Sequence, residues 1–242
     1  MKLLCDLHIH TCLSPCGDLD ASPNAVVRKA IEAGLDVIAV CDHNSALNCR
    51  TAVTAGACEG IAVIAGIEVA TIEEAHVLAL FPELEDAEEF SRRLYELLPS
   101  GTPGRFASSH IDQVYVDTED VILGEVDKLL VSGADISIED VLEYVHGKNG
   151  LVIPSHIDRP SFSIPSQLGF FPDLGFDAVE IALAANMGMI SGLPRTYPVI
   201  ASSDAHHPDY VGSKYTEVEA ESKDFHAIAE AIKAGRTRLY FP

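Results

Sequence analysis

The sequence contains no tryptophan and only three methionines, and aromatic residues make up 7% of its 242 positions. Basic residues are also scarce, because 16 lysines and arginines are outnumbered by 37 aspartates and glutamates, which gives a formal net charge of -21. A field of that sign repels polyanions unless bound cations reverse it locally. Long nucleic acid is therefore not an expected partner.

Long apolar runs are absent as well, since no stretch approaches the ~18 residues that a transmembrane helix needs. The first ten residues, MKLLCDLHIH, place charges and histidines where a signal peptide has its apolar segment. A hydrophobic content of 48% nevertheless permits a large buried core. We therefore expect a soluble, cytoplasmic protein that does not enter a membrane, and we leave its oligomeric state open.

Cysteine does not occur after position 58. The six cysteines, at positions 5, 12, 16, 41, 49 and 58, are distributed too unevenly to form a disulfide framework for the whole chain. Cys12 and Cys16 form a C-x3-C pair, and that spacing leaves soft-metal or iron-sulfur ligation open. Ordinary reduced thiols beside another site are the alternative that we favour.

Seven short apolar runs indicate buried strands. They are LLCDLHI (3–9), DVIAVCD (36–42), IAVIAGIEV (61–69), HVLALF (76–81), GLVIPSH (150–156), AVEIA (178–182) and PVIASSD (198–204). Runs without clean alternation are typical of parallel strands that are buried on both faces. Helices separate many of them, as where Ser22 and Pro23 begin a helix that Gly34 ends. This order predicts an α/β fold in the form of one β/α barrel.

The stretch 84–149 interrupts the alternation of strands and helices. It contains an acidic helix (DAEEFSRRLYELL), a Gly/Pro linker (PSGTPGR) and a hairpin in which QVYV and VILGEV flank DTED. We interpret this stretch as an insertion over the barrel mouth, within a single domain that spans residues 1–242.

Histidines and carboxylates recur at or near the ends of these runs, and barrel enzymes assemble their active sites at the carboxyl ends of strands. The positions are His8, His10, His43, Glu68, His76, His156, Asp204 and His206, of which only His76 opens its run. Burying so many polar groups without cations would cost on the order of several kcal/mol each. Mixed imidazole and carboxylate ligands suit zinc, manganese or iron, and shared carboxylates suit metals roughly 3.5–4 Å apart.

The same residues lie in motifs that resemble those of the PHP (polymerase and histidinol phosphatase) family. The motifs are DLHIHT, DHN at 42–44, GIEV at 66–69, HVLALF, SHIDRP at 155–160 and SSDAH at 202–206. The resemblance is weakest in the insertion, and it implies a distorted (β/α)7 TIM-like barrel with a trinuclear metal site. Members of the family include histidinol-phosphate phosphatases, nucleotide phosphatases, small-RNA exonucleases and polymerase-associated domains.

Carried over by motif, the resemblance implies two or three divalent cations, Zn, Mn or Fe. The ligand sets are His8, His10, Glu68 and Asp204; Glu68, His76 and His156; and His43, His206 and a residue of the first loop. The family usually supplies a histidine or aspartate for that last position, where this chain has Pro15. If the loop SPCGDLDASP contains a short insertion, counting back from Ser22 and Pro23 places Asp18 at this ligand position, with Cys16 and Asp20 as competitors.

Other polar residues receive weaker assignments. Arg159 and, with less support, Lys214 are candidates for binding the substrate phosphate, although Arg159 next to Pro160 also suits a structural role. Asp6 and Asp42 are expected to orient neighbouring imidazoles. The remaining histidines, at positions 110, 146, 207 and 226, are expected to lie outside the metal cluster.

The resulting hypothesis is a hydrolase, a metal-dependent phosphoesterase that acts on a small phosphomonoester such as a nucleotide or histidinol phosphate. A metal-activated hydroxide would attack phosphorus, with Glu68, Asp204 and His206 as the catalytic ligands. Either a nonbridging histidine or a metal-bound water would protonate the leaving alcohol. An exonuclease or oligonucleotide phosphodiesterase with the same site is the main alternative, followed by a noncatalytic metal-binding module.

Overall fold

The computed structural model describes residues 1–101 and 112–241. The strands of this part are β1 (Lys2–Ile9), β2 (Val37–Val40), β3 (Ala62–Ala70), β4 (His76–Phe81), β5 (Val114–Val116), β6 (Ile122–Glu125), β7 (Leu151–Pro154), β8 (Val179–Glu180), β9 (Val199–Ile200), β10 (Tyr215–Glu219) and β11 (Thr237–Tyr240). The α-helices are α1 (Pro23–Glu32), α2 (Cys49–Glu59), α3 (Leu84–Leu97), α4 (Ile138–Gly147), α5 (Ile164–Leu168) and α6 (Phe225–Lys233). Residues Ala184–Gly192 and Pro208–Tyr210 are 3-10 helices. Residues 102–105 of the predicted linker and His110 lie outside the described residues.

Seven strands form the wall of a distorted barrel, and each corresponds to one of the seven predicted apolar runs. β1, β2, β3, β4 and β7 are successive neighbours in one sheet, and β8 pairs with β9. Backbone hydrogen bonds join the end of β7 to β8, as from Ile157 N to Glu180 O (2.9 Å). The chain after β9 returns to β1, where Asp204 N donates to His8 O (2.9 Å). The predicted α/β barrel is therefore confirmed.

The strand directions differ from the parallel arrangement expected from the sequence. β1, β2 and β3 are parallel, whereas β4 is antiparallel to both β3 and β7. The cause is the short connection 71–75 between β3 and β4, because a parallel crossover needs about a dozen residues or more. The reversal pairs His76, the first residue of β4, with Ala70 at the end of β3. His76 therefore lies at the same barrel end as the carboxyl ends of its neighbours.

The hairpin of β10 and β11 extends the sheet beyond β1 and was not among the predicted runs. β10 pairs antiparallel with the first half of β1, and β11 pairs antiparallel with β10. Within β10, Thr216 and Val218 are buried while the residues between and around them are partly exposed or exposed. Such a half-buried strand alternates with period 2 and has no continuous apolar run.

The ends of the stretch 84–149 belong to the barrel, because α3 packs against β3 and β4 and α4 packs against β4 and β7. Between these helices, β5 and β6 form the predicted antiparallel hairpin. The hairpin contacts the loop after β1, where Val114 N donates to Cys12 O (3.2 Å), and α2, where Thr51 Oγ1 donates to Val116 O (2.7 Å). Within the stretch 84–149, the departure from strand and helix alternation is thus limited to the chain between α3 and α4.

Two helix starts follow the caps that the sequence indicates. The Ser22 hydroxyl accepts a hydrogen bond from Ala25 N at α1, and Ser137 and Asp140 form a capping box at α4. Among residues 1–101 and 112–241, no helix combines the length and apolar character that crossing a membrane requires.

Gly66 in β3 is tightly enclosed, because a Cβ atom there would lie 2.6 Å from Cys41 Sγ and 2.7 Å from Leu80 Cδ2. We expect Gly66→Ala to lower the free energy of unfolding by about 1–3 kcal/mol, since the added methyl overpacks the wall of the barrel. Gly147→Ala is the control, because nothing lies within 4 Å of its added Cβ. It should be neutral or stabilising by up to about 1 kcal/mol. Urea unfolding measures both changes, and equal effects would contradict the packing at Gly66.

Candidate metal centre

Glu68 lies at the centre of a buried cluster of histidines at one end of the barrel. β3 carries it, and its side chain is 1% exposed. Imidazole nitrogens lie 3.1–3.4 Å from its two carboxylate oxygens. They belong to His8, His10, His43, His76 and His156. One carboxylate therefore contacts five histidines from four segments of the wall.

Asp204 supplies a second carboxylate to the cluster. Its Oδ1 lies 3.4 Å from His8 Nε2 and 3.2 Å from His10 Nε2, and its Oδ2 lies 2.6 Å from Arg159 Nη1. The backbone of Asp204 (φ 52) and that of His156 (φ 31) are in the left-handed region. Such strain in residues other than glycine is concentrated at functional sites, where surrounding structure maintains it.

Two hydrogen bonds determine which nitrogen of His8 and of His10 points into the cluster. His8 Nδ1 lies 3.1 Å from Glu180 Oε2, and an ionised carboxylate can only accept. His10 Nδ1 lies 2.9 Å from Ser14 Oγ, whose own proton is donated to Asp42 Oδ1 at 2.7 Å. Nδ1 therefore carries the proton in both rings, and both Nε2 lone pairs are directed at the cluster.

The two Nε2 atoms, of His8 and His10, lie only 3.1 Å apart. Lone pairs and carboxylate oxygens at such distances repel each other unless a proton or a metal ion lies among them. Nitrogen and oxygen ligands about 2.0–2.1 Å from a tetrahedral zinc lie about 3.3 Å from one another. The spacings of 3.1–3.4 Å around His8, His10 and Asp204 fit that arrangement.

Several buried polar atoms of the cluster have no partner with hydrogen-bond geometry among the described residues. They are His43 Nδ1, Glu68 Oε1, His76 Nε2 and His156 Nδ1. Each such atom costs about 1–3 kcal/mol when it stays unsatisfied. Three groups have ligand atoms within 4.8 Å of one another and could each hold a metal ion. They are His10, His43 and His206; His8, His10 and Asp204; and His43, Glu68 and His76.

The shifted pKa values in the cluster indicate that positive charge is favoured there. Burial would lower the pKa of His10, but hydrogen bonds to Asp204 and Glu68 outweigh it and raise the pKa to about 9. Burial likewise opposes protonation of His8, yet the surrounding carboxylates raise its pKa well above the ordinary value. His206 behaves differently, because burial and the nearby His10 lower its pKa to about 4.

The pKa of Glu68 changes in the opposite direction. Burial would raise it, but His76, His8 and His43 hold the pKa of this carboxyl well below its usual range. Protonated imidazoles thus compensate the buried carboxylates when no metal ion is bound.

Eight of the nine residues assigned as ligands from the sequence meet in this cluster, and Asp18 does not. Asp18 is exposed, and its Oδ1 accepts a hydrogen bond from Asp20 N (2.8 Å). Its backbone N–H donates to His206 O (2.8 Å), so the loop itself lies beside the cluster. Arg159 contacts the cluster through Asp204. Lys214 is half-buried, with Nζ 3.5 Å from the carbonyl oxygen of Ala182.

All six cysteines are free thiols, and four of them are buried in the fold. None belongs to the three ligand groups found among the described residues, so iron-sulfur ligation has no support there. The residue Cys16 is exposed, but its sulfur atom is packed against neighbouring atoms. This local burial raises the pKa of the thiol to about 12, and the carboxylates of Glu68 and Asp204 contribute less to the shift. Its thiol therefore lies within electrostatic range of the cluster.

Sequence analysis did not identify Glu180. Its buried carboxylate contacts His8 Nδ1 and also accepts a hydrogen bond from His156 N (2.9 Å), so it connects two residues of the cluster. The available signal was a carboxylate inside the apolar run AVEIA, where burial is costly without partners. Asp6 was expected to orient an imidazole, but its two carboxylate oxygens accept hydrogen bonds from backbone N–H groups, those of Ser203 and Gly212, at 2.9 Å.

Comparison with family models identifies the chain. The PHP domain model matches residues 6–150, which is more than half of the chain, and the PHP-associated model matches residues 194–237. The chain belongs to the PHP domain family. The expected assignment to a family of metal-dependent hydrolases is thereby confirmed.

Individual proteins resemble this PHP chain at low sequence identity. Uncharacterized protein YqxK of Bacillus subtilis is 26% identical over 184 residues, which are 71% of this chain and 41% of YqxK. The lesion-specific endonuclease Q of Pyrococcus furiosus has a TM-score of 0.70 at 19% identity, over 99% of this chain and 58% of that one. A two-domain protein of Bacteroides vulgatus that contains a predicted PHP-like metal-dependent phosphoesterase has a TM-score of 0.58 at 19% identity. The match covers 100% of this chain and 65% of that protein. The chain therefore spans less than two thirds of each of these three proteins.

The raised pKa of His10 links stability to pH. Because the pKa is about 9 in the folded protein and 6.5 ordinarily, its contribution is fully present below 6.5 and is lost as pH rises to about 9. We expect the free energy of unfolding of chelator-treated protein to fall over this interval. His10→Gln should show a smaller fall, whereas His226→Ala, on the exposed side of α6, should match the wild type. Urea titrations test this, and a flat profile for the wild type would contradict it.

Proposed function

We propose that this PHP chain hydrolyses a small phosphomonoester, such as a nucleotide or histidinol phosphate, at the Glu68 cluster with two or three bound divalent cations of Zn, Mn or Fe. The convergence of the His8 and His10 lone pairs on the carboxylates of Glu68 and Asp204 carries the proposal. Membership of a metal-dependent family supports the hydrolytic class. The choice of a small substrate is inferred from the net charge of the chain, -21, and from the insertion proposed at the barrel mouth.

The proposed ligands are the eight clustered residues: His8, His10, His43, Glu68, His76, His156, Asp204 and His206. We retain Asp18 as the proposed first-loop ligand, because its backbone is hydrogen-bonded to that of His206. Cys16 and Asp20 remain its competitors. A single domain that spans 1–242 is proposed, in which the insertion of the stretch 84–149 at the barrel mouth consists of the chain between α3 and α4.

Bound divalent cations lower the pKa of water toward neutrality and neutralise phosphoryl oxygens. The side chains of this protein hold and orient the reactants around them. Arg159 has a side chain that is 40% exposed and a guanidinium group beside Asp204, so it can bind a substrate phosphate in a bidentate way. Lys214 is the second candidate for that contact.

His206 is more accessible than the other clustered histidines, with a side chain that is 31% exposed. Its Nδ1 lies 2.9 Å from the carbonyl oxygen of Asp204. Since a carbonyl can only accept, Nδ1 carries the proton and Nε2 presents a lone pair. This orientation suits a neutral ligand, and the lowered pKa of about 4 keeps the ring neutral at neutral pH.

Glu68→Gln tests the central residue of the proposed site. Removing the shared anionic oxygen should reduce both metal content and turnover by more than about a hundredfold, because even indirect partners of metal ligands contribute 10- to 100-fold. The fold should persist, since the side-chain volume is nearly unchanged. Glu59→Gln, at the exposed end of α2, is the matched control and should leave both quantities unchanged. Mass spectrometry of bound metal and phosphate release measure the outcome, and comparable losses in both variants would show that the site is elsewhere.

A nuclease is the second candidate function. Endonuclease Q, which shares this fold, has been solved with a 27-mer duplex substrate that carries an abasic lesion at its active site. The proposed ligand set does not separate a phosphatase from a nuclease, because cations held at a phosphate can serve hydrolysis of either ester. The net charge of -21 opposes binding of a long polyanion outside the cation cluster.

A salt series distinguishes the two candidates. We expect kcat/KM for a mononucleotide to exceed that for a 27-mer DNA duplex with an abasic site, and added salt to help the duplex modestly by screening repulsion over a Debye length of ~8 Å. Proteins that bind nucleic acid through basic surfaces lose affinity steeply with salt instead. Faster cleavage of the duplex at low salt, with a steep decline as salt rises, would favour the nuclease.

A further inference from the structure

Phe162 is an exposed aromatic residue that lies directly against the cluster. Its ring stacks on the ring of His76 with centroids 4.8 Å apart and planes inclined by 12°. The residue is 44% exposed, and its φ of 58° is in the left-handed region that bulky side chains rarely adopt. A large ring thus occupies a strained backbone position beside a proposed metal ligand.

The backbone around Phe162 does not require this ring. Its carbonyl oxygen accepts a hydrogen bond from His76 N (2.8 Å), and any residue provides that acceptor. Ser163 and Ser166 form the capping box that begins α5. A glycine would adopt the same φ without strain. The ring also gains burial on the side that meets His76 while much of its surface stays in contact with solvent.

The position of Phe162 relates it to the proposed phosphate contact. Ser163 Oγ donates to Arg159 O (2.7 Å), so one short turn carries both the guanidinium and the aromatic ring. Arg159 contacts Asp204, and His76 Nδ1 lies 3.2 Å from Glu68 Oε1. Arg159 is thus in direct contact with one carboxylate of the cluster, and Phe162 packs on a histidine that contacts the other.

We propose that Phe162 is a specificity-determining residue, a platform on which a planar ring of the substrate stacks while the phosphate lies at the cluster. The preferred substrate class is then a phosphate ester that carries a nucleobase or a similar aromatic ring. This proposal rests on the proposed function. His76 supports the inner side of the platform, and the exposed surface of Phe162 receives the ring by offset stacking.

The test compares two esters with the same reacting group, adenosine 5′-monophosphate and ribose 5-phosphate, on the full chain loaded with Mn²⁺. Phe162→Ala should lower kcat/KM for the nucleotide by about fivefold to a hundredfold, mainly through KM, because stacking of a base on an aromatic side chain contributes on that order. It should leave ribose 5-phosphate unchanged. Phe162→Tyr, which keeps the ring, should retain the wild-type preference, and metal content should be equal in all three proteins.

Two results would overturn the platform. If Phe162→Ala lowers kcat/KM equally for both esters, Phe162 acts only by covering His76. If kcat/KM for the nucleotide does not fall, the ring of Phe162 does not contact the substrate. If the wild type hydrolyses neither ester, the proposed function fails, and calorimetry on the same Mn²⁺-loaded proteins decides about the platform separately. Tighter binding of the nucleotide by the wild type and not by Phe162→Ala supports it, whereas equal or undetectable binding of the two esters refutes it.

Discussion

The site depends on the electrostatic conflict between two imidazole lone pairs and two carboxylates in a buried space. Glu180 and Ser14 fix the protons of His8 and His10 on Nδ1, so their Nε2 atoms, 3.1 Å apart, are both acceptors. Only a positive charge among them makes this arrangement stable. The raised pKa of His10 and the lowered pKa of Glu68 have the same origin, because protonated imidazoles and ionised carboxylates stabilise each other. Whatever occupies the cluster must therefore be cationic, and two of its nitrogens are already oriented before anything binds.

The barrel maintains this conflict by holding the side chains from segments that are distant in sequence. Glu180, on β8, contacts His8 of β1 and the backbone of His156 after β7, and thereby joins three parts of the wall. The reversed direction of β4 brings His76 to the same barrel end. The left-handed backbone of His156 and of Asp204 is the strain that this closure sustains. Rigid support of this kind keeps the ligand atoms from moving apart to relieve their repulsion.

The sequence predicted the wall of the barrel because each of its strands lies in an apolar run. It predicted eight clustered residues because seven of them recur at or near the carboxyl ends of those runs and His76 opens one. Features that depend on tertiary contacts were not predictable. The direction of β4 follows from the short connection 71–75, and β10 is half-buried with only Thr216 and Val218 inward. The role of Glu180 depends on its contact with His8, which lies 172 positions away in the sequence. The first loop has no periodic pattern at all, so the placement of Asp18 depended on counting residues.

The contrast between the cluster and the rest of the surface bears on what can approach it. A chain of net charge -21 repels anions at long range, while cations held by the cluster would attract them only within a Debye length of ~8 Å. A phosphate with a small leaving group lies wholly inside that radius, whereas a long strand extends over acidic surface. Since the chain spans 58% of endonuclease Q, a protein of similar fold can carry further surface that changes this balance. Under the proposed function, the cluster supplies the chemistry, and the charge and aromatic groups around its mouth select among phosphate esters.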